Sequence, residues 1–365
     1  MKRNLNILSF FLSILFFIAS LSFSEEKVQY LKKVGEIKDG FSSERENFFI
    51  KITGLCCDDE GNLYVADSGW NKIFKFDSNG KFLMSFGREG QGPGEFMGQR
   101  MSNHLKISFG NDGKLYVNDP GNSRISVFTK EGKFLKSHRT PSFTYDTPVV
   151  NSRGDIYLLS KSGIKIIDSY DPNFKLKASL LDYDWHLHFP LIKPSIDDKA
   201  SLRPVRGEHV QYIITKKDKL VVLSNFSLGI LVFDRQNKKI NEFSLLKHRI
   251  FYDIFKTQLE ESQRVHEKIE NKTDRSKMNV RRKRVFLPLI PLKIFIYGDE
   301  IFGLLNWRGK DIFEIYFLDI REEFLGRFVY EGSIGWYAGI CSDKMYFYVS
   351  NFNYDKILIL KNTKI

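Results

Sequence analysis

Residues 61–85 (GNLYVADSGWNKIFKFDSNGKFLMS) and 113–137 (GKLYVNDPGNSRISVFTKEGKFLKS) are two copies of one unit, 52 positions apart, aligning without a gap and identical at 13 of 25 positions. No feature constrains the fold more, because a unit repeated at this period cannot bury its apolar faces alone and must stack on its neighbours. Each copy alternates short apolar runs with turn residues, as β-hairpins require. Asp67-Ser-Gly-Trp-Asn71 and Asp119-Pro-Gly-Asn-Ser123 put Gly where a positive φ costs little and Asp where its carboxylate can bond the loop backbone. Asn79-Gly80 and Glu131-Gly132 close the next hairpin. Weaker copies, with the apolar skeleton kept and the turns eroded, begin at Gly154, Asp218, Asp299 and Asp343, which makes six in all.

The run GNLYVADSGWNKIFKFDSNGKFLMSFGREGQGPGEF resembles the NHL repeat in its G-x-L-Y-V-x-D strand, its D-x-G-N-x-x-I turn and its glycine-rich exit. The match is strong over residues 50–137. The resemblance implies an all-β, six-bladed β-propeller of four-stranded antiparallel blades around a central channel. Gln29–Gly35 looks like Lys81–Gly87, the outermost strand of a blade, whereas the last copy stops at Leu360 without one. The amino-terminal strand is therefore expected to complete the last blade and remove a free sheet edge. The 33 Phe and 16 Tyr are expected to fill the spaces between blades. Residues 248–284, between the fourth and fifth copies, break the β pattern. Phe251, Ile254, Phe255, Leu259, Val265 and Ile269 recur at helical spacing, and Arg281-Arg282-Lys283-Arg284 ends a basic stretch. They read as an inserted helix, either a lid or docking element or a decorated loop with a solvated basic face.

Residues 1–24 read as a secretory signal: Lys2 and Arg3, an apolar run from Ile7 to Leu21, then the small-x-small spacing of Ser22-Phe23-Ser24. The competing reading is an uncleaved anchor, since the run is close to the minimum of about 17 residues that spans a bilayer. Cleavage near Ser24 leaves a secreted or periplasmic domain over residues 25–365 with no further long apolar stretch. The formal charge of +12 would suggest nucleic acid inside a cell. Outside it, acidic proteins, peptides or anionic glycans are the expected partners, beside plain solubility. RNA binding, as in cytoplasmic NHL proteins, would require the signal reading to fail. The three cysteines make no disulfide framework: Cys56 and Cys57 are adjacent, and a vicinal bridge is strained. Cys56 and Cys341 hold equivalent places in neighbouring units, with buried thiols favoured over a bridge between them.

Ligands of propellers sit where the innermost strands begin. The lead-ins to those strands contain Arg100, Asn103, His104, Asp146, Glu208, His209, Trp336 and Tyr337. Asn103, His104, Asp146, Glu208 and His209 are weak candidates for a Ca or Zn site, because oxygen donors suit Ca²⁺ and imidazoles suit Zn²⁺. No cofactor is firmly expected, since the offsets differ between copies. His186-Leu-His188 lacks a third ligand nearby. Gly87–Gly94 resembles a phosphate loop only superficially, because a strand rather than a helix should follow it. No nucleophile–base pair can be named from spacing. Trp70, Asn71, Asn122, Arg124, Trp307, Arg308, Asn353 and Tyr354 fall in the expected loops between second and third strands, with an interface-like composition. With Arg100 they are the expected partner contacts. The expected function is non-catalytic binding of a protein, peptide or glycan through the loop-rich face. The alternative is a metal-dependent hydrolase or lyase at the channel mouth, as in the six-bladed lactonases and the peptide-amidating lyase.

Overall fold

The computed structural model describes residues 28–40, 47–98, 104–140, 146–160, 165–182, 210–225, 228–257, 260, 292–307, 312–332, 340–342, 346–351, 353 and 355–362. Its first strand, β1 (Val28–Ile37), belongs to the last blade. Blade 1 is β2 (Ile52–Cys57), β3 (Leu63–Asp67), β4 (Lys72–Phe76) and β5 (Phe82–Phe86). Blade 2 is β6 (Lys106–Phe109), β7 (Leu115–Asp119), β8 (Arg124–Phe128) and β9 (Phe134–Arg139), and blade 3 is β10 (Val149–Val150), β11 (Ile156–Leu159), β12 (Lys165–Tyr170) and β13 (Leu176–Asp182). Blade 4 is β14 (Val210–Ile214), β15 (Leu220–Ser224), β16 (Gly229–Phe233) and β17 (Lys239–Ser244). Blade 5 is β18 (Lys293–Ile296), β19 (Ile301–Trp307), β20 (Ile312–Asp319) and β21 (Phe324–Glu331), and blade 6 starts with β22 (Ile340–Ser342), β23 (Tyr346–Ser350) and β24 (Ile357–Asn362).

Within each blade, successive strands pair antiparallel in chain order. β1 supplies the fourth strand of blade 6, running antiparallel to β24 from Leu31 opposite Asn362 to Ile37 opposite Ile357. Its first three residues, Val28 to Tyr30, pair parallel with β21 and stitch blades 5 and 6 into one eight-stranded sheet. The innermost strands count the blades independently. β2, β6, β10, β14, β18 and β22 each contact the next, and β22 contacts β2, so six blades close a ring.

The core lies between blades rather than within one of them. Six apolar clusters fill the six gaps, the one between blades 6 and 1 joining Ile52, Val65 and Phe74 to Cys341, Tyr348 and Ile359. Because every middle strand is covered on both faces, β3, β7, β15 and β16 are buried at every residue. A tyrosine on the second strand crosses several gaps. Tyr64 donates to Lys130 O of blade 2 at 3.0 Å, Tyr157 to Asn237 Oδ1 of blade 4 at 2.9 Å, and Tyr348 to Ser78 O of blade 1 at 2.9 Å.

A helix spans 249–257 at the start of the insertion. Phe251, Ile254 and Phe255 are buried in the cluster between blades 4 and 5, so this part of the apolar stripe lies against the propeller. Leu259, Val265, Ile269 and the basic tetrad lie outside the described residues, as do residues 1–24. Among the described residues no helix is long and apolar enough to cross a membrane.

Candidate functional site at the channel mouth

Crossings from the fourth strand of one blade to the first of the next, and the loops between second and third strands, share one end of the ring. Two buried carboxylates join them. Asp67 accepts from the amides of Ile50 (2.7 Å), Lys51 (3.0 Å), Gly69 (2.7 Å) and Trp70 (3.2 Å). Asp119 likewise accepts from Met97 N at 3.2 Å, within the crossing into blade 2, and from Asn122 Nδ2 at 2.6 Å. Gly121 packs where a Cβ would come 2.1 Å from Met97 O, so only glycine lets this loop and crossing meet.

Several residues read from the sequence as partner contacts turn out to brace this face. Arg124 donates to the carbonyls of Gln91 (2.8 Å), Gly92 (2.7 Å) and Glu95 (2.8 Å), and Asn122 Nδ2 donates to Gly90 O at 2.9 Å. The glycine-rich crossing thus turns its carbonyls to Asn122 and Arg124, while its Gly92 amide donates to the Glu95 carboxylate at 2.7 Å. Gly87 begins it at φ +90°, where a Cβ would meet the Phe96 ring at 2.4 Å. Asn71, buried and left-handed at φ 53°, accepts from Gly98 N at 2.6 Å. The Trp70 indole donates to Phe48 O at 2.8 Å and stacks edge-on against the Phe48 ring, leaving it half-buried. Trp307 ends strand β19 rather than occupying a loop, and Asn353 is exposed. Arg100, Asn103, His186, His188, Glu208, His209, Arg308, Trp336, Tyr337 and Tyr354 lie outside the described residues.

Two lysines mark the mouth itself. Lys106 and Lys293 are the first residues of β6 and β18, the innermost strands of blades 2 and 5, which stand opposite each other in the ring of six. On either side, Leu105 and Ile107, and Leu292 and Ile294, are buried in the inter-blade clusters, so strand alternation turns both lysines the other way. Lys106 Nζ donates to Thr53 O at 3.3 Å. Gln211 of β14 accepts from Ile294 N at 3.2 Å and donates to Leu292 O, fixing the chain on both sides of Lys293.

Burial dominates the electrostatics here. It pushes the Lys106 amine down, against the opposing pull of the Asp146 carboxylate. It pushes Lys293 down to about 7, helped by the positive charge of Lys106. His104 is pushed down to about 4, by burial first and then by Lys51 and Lys106, and its buried Nδ1 has no hydrogen-bond partner among the described residues. Burial and the nearby Asp146 charge raise the Tyr212 hydroxyl on β14. The mouth thus combines two half-buried lysines with the Asp146 carboxylate and the Tyr212 hydroxyl. Of the metal candidates, only His104 and Asp146 are described. Among the described residues no group of three His, Cys, Asp or Glu could hold a metal ion.

Lys106, Lys293, Thr53, Gln211 and Tyr212 were not singled out from the sequence. A signal existed: HLKISFG from His104 and PLKIFIYG from Pro291 share Leu-Lys-Ile at the same point of their units.

The closed ring of antiparallel blades defines this protein as a β-propeller. Residues 44–104 match the sequence pattern of a family described as "6-bladed beta-propeller". Among solved structures, the chain is similar to a member of the DUF4221 family from Bacteroides vulgatus (12% identity, 91% of this chain and 97% of that one, TM-score 0.50). It is also similar to virginiamycin B lyase from Staphylococcus aureus (13% identity, 91% and 99%, TM-score 0.48). The WD40 repeats of RRP9 align too (9% identity, 92% and 100%, TM-score 0.48). No curated protein matches the chain.

Proposed function

We propose that this protein is a non-catalytic, exported binding propeller that receives an anionic partner, an acidic protein or peptide or an anionic glycan, on its crossing-loop face. The observation that carries the reading is the pair of half-buried lysines on opposite inner strands at that face, Lys106 and Lys293. An anion entering between them brings opposite charge to both amines, and the low local dielectric strengthens that attraction. The net charge of the full chain, +12, of which Lys2 and Arg3 leave with residues 1–24, still gives the mature protein long-range attraction for the same class of partner. Cleavage after Ser24 and release outside the cytoplasm belong to this reading, as do Trp70 and Asn353 as further contacts on the same rim.

Titration calorimetry of the mature protein with oligoglutamate, oligogalacturonate and neutral dextran tests it. Binding of an anionic oligomer, weakened about tenfold or more in Lys293→Gln and by raised salt, is the expected result. Equal binding of dextran, or unchanged affinity in Lys293→Gln and Lys106→Gln, would contradict it. So would a stoichiometric Ca or Zn in elemental analysis that is lost in His104→Ala or Asp146→Ala, which would indicate a metal-dependent enzyme instead.

A further inference from the structure

The sequence pairs Cys56 with Cys341 as equivalent residues, and the register agrees: Cys56 lies opposite Tyr64 in blade 1, as Cys341 lies opposite Tyr348 in blade 6. Equivalence is what keeps these two apart. Equivalent positions face the same way round the ring, so Cys56 packs into the gap between blades 1 and 2, while Cys341 packs into the gap between blades 6 and 1. The residue that faces back towards blade 6 is one step along the strand, since alternate side chains point to opposite faces. That residue is Cys57, packed against the same cluster as Cys341, and the two Sγ atoms stand 2.6 Å apart.

We propose that Cys57 and Cys341 form a disulfide that fastens the first blade to the last. Little movement separates the two sulfurs from the bonding distance of about 2.05 Å. The bridge joins residues 284 positions apart, at the gap where the two ends of the repeat array meet. The oxidant is a low-molecular-weight disulfide such as oxidised glutathione. The Cys57 thiolate, the more exposed of the pair, attacks one sulfur of the oxidant, forming a mixed disulfide and releasing one thiol. Cys341, losing its proton, then attacks Cys57 Sγ and expels the second thiol. Two protein S–H bonds are exchanged for one S–S bond, and the oxidant leaves as two reduced thiols. Cys56 stays out of the exchange, because burial pushes its thiol well up and keeps it protonated.

Wild-type protein equilibrated with oxidised glutathione, unfolded without reductant and alkylated, tests the bridge by peptide mass mapping. Of the three cysteines, only Cys56 should be labelled, with a Cys57–Cys341 cross-linked peptide that disappears on reduction. Cys56→Ser should keep the cross-link and Cys57→Ser should abolish it. Oxidised wild type should unfold at least about 5 °C above the reduced form, because the bridge restricts a long loop of the unfolded chain. Labelling of all three cysteines after oxidation would overturn the proposal. A bridge between Cys56 and Cys57 or between Cys56 and Cys341, or retention of glutathione on Cys57, would do the same.

Discussion

Lys293 and His104 put a pH signature on the folded chain. A lysine held near 7 in the folded protein has an ordinary value of about 10.4 when unfolded. Between those values the unfolded chain binds more protons, so this group's contribution to stability increases from about pH 7 to pH 10 and is fully unfavourable below 7. His104 acts in the same sense lower down: held near 4 against 6.5, it makes stability fall as pH drops through that window. Urea midpoints measured from pH 4 to pH 10 should show both rises. Lys293→Met should flatten the upper one, and an unchanged profile would count against a desolvated amine. Anion binding should run the opposite way, weakening as Lys293 loses its proton above about pH 7.

Arg124 illustrates what residue type alone leaves out. Arginine and asparagine in a loop suit an interface, but glycine-rich backbone leaves carbonyls that need donors when half-buried. Arg124 and Asn122 meet that need inside the chain. Arg124→Ala should destabilise the fold by about 2 kcal/mol, read from denaturant unfolding, by removing the guanidinium from Gln91 O and Glu95 O and leaving Gly92 O with Glu95 N alone.

The blade is the element the sequence revealed most fully. The Asp, Gly and paired apolar positions of residues 61–137 correspond to seven strands, β3 to β9, and their loops, because each turn there demands a particular residue chemistry. The later copies lose those letters because other groups do the same work. Asn351 Oδ1 accepts from Asp355 N and Lys356 N, each at 3.1 Å, in the loop where blade 1 uses Asp67. Outer-strand resemblance placed β1 correctly. The Cys57–Cys341 approach was missed because homology between units identifies equivalent positions, whereas contact between blades joins non-equivalent ones. The channel lysines were missed for a different reason. A lone lysine reads as a solvated charge, and only closure of the ring buries it.

Tyrosine clasps should carry part of the blade-to-blade cohesion. Tyr348→Phe removes the hydroxyl that reaches Ser78 O while keeping the ring in its cluster. A loss of about 1 kcal/mol in denaturant unfolding is expected. Tyr64→Phe should cost about as much, since the one hydroxyl proton is shared between Lys130 O and Asp58, and both keep other donors, Lys75 Nζ and Asn62 among them.

At the scale of the whole molecule, the ring has no sheet edge at its seam because β1 occupies it. Six near-equivalent blades with apolar faces can close only if the last one is finished, and the chain finishes it from the opposite end. The channel mouth depends on that closure: Lys106 and Lys293 face each other only across a complete ring of six inner strands. Native-state hydrogen exchange read at the amides of β1 tests closure most directly. Those bonded to β24 between Leu31 and Ile37 should exchange as slowly as the amides of β23, through global unfolding alone, whereas exchange within seconds, at the rate of a frayed terminus, would contradict a ring closed by its first strand.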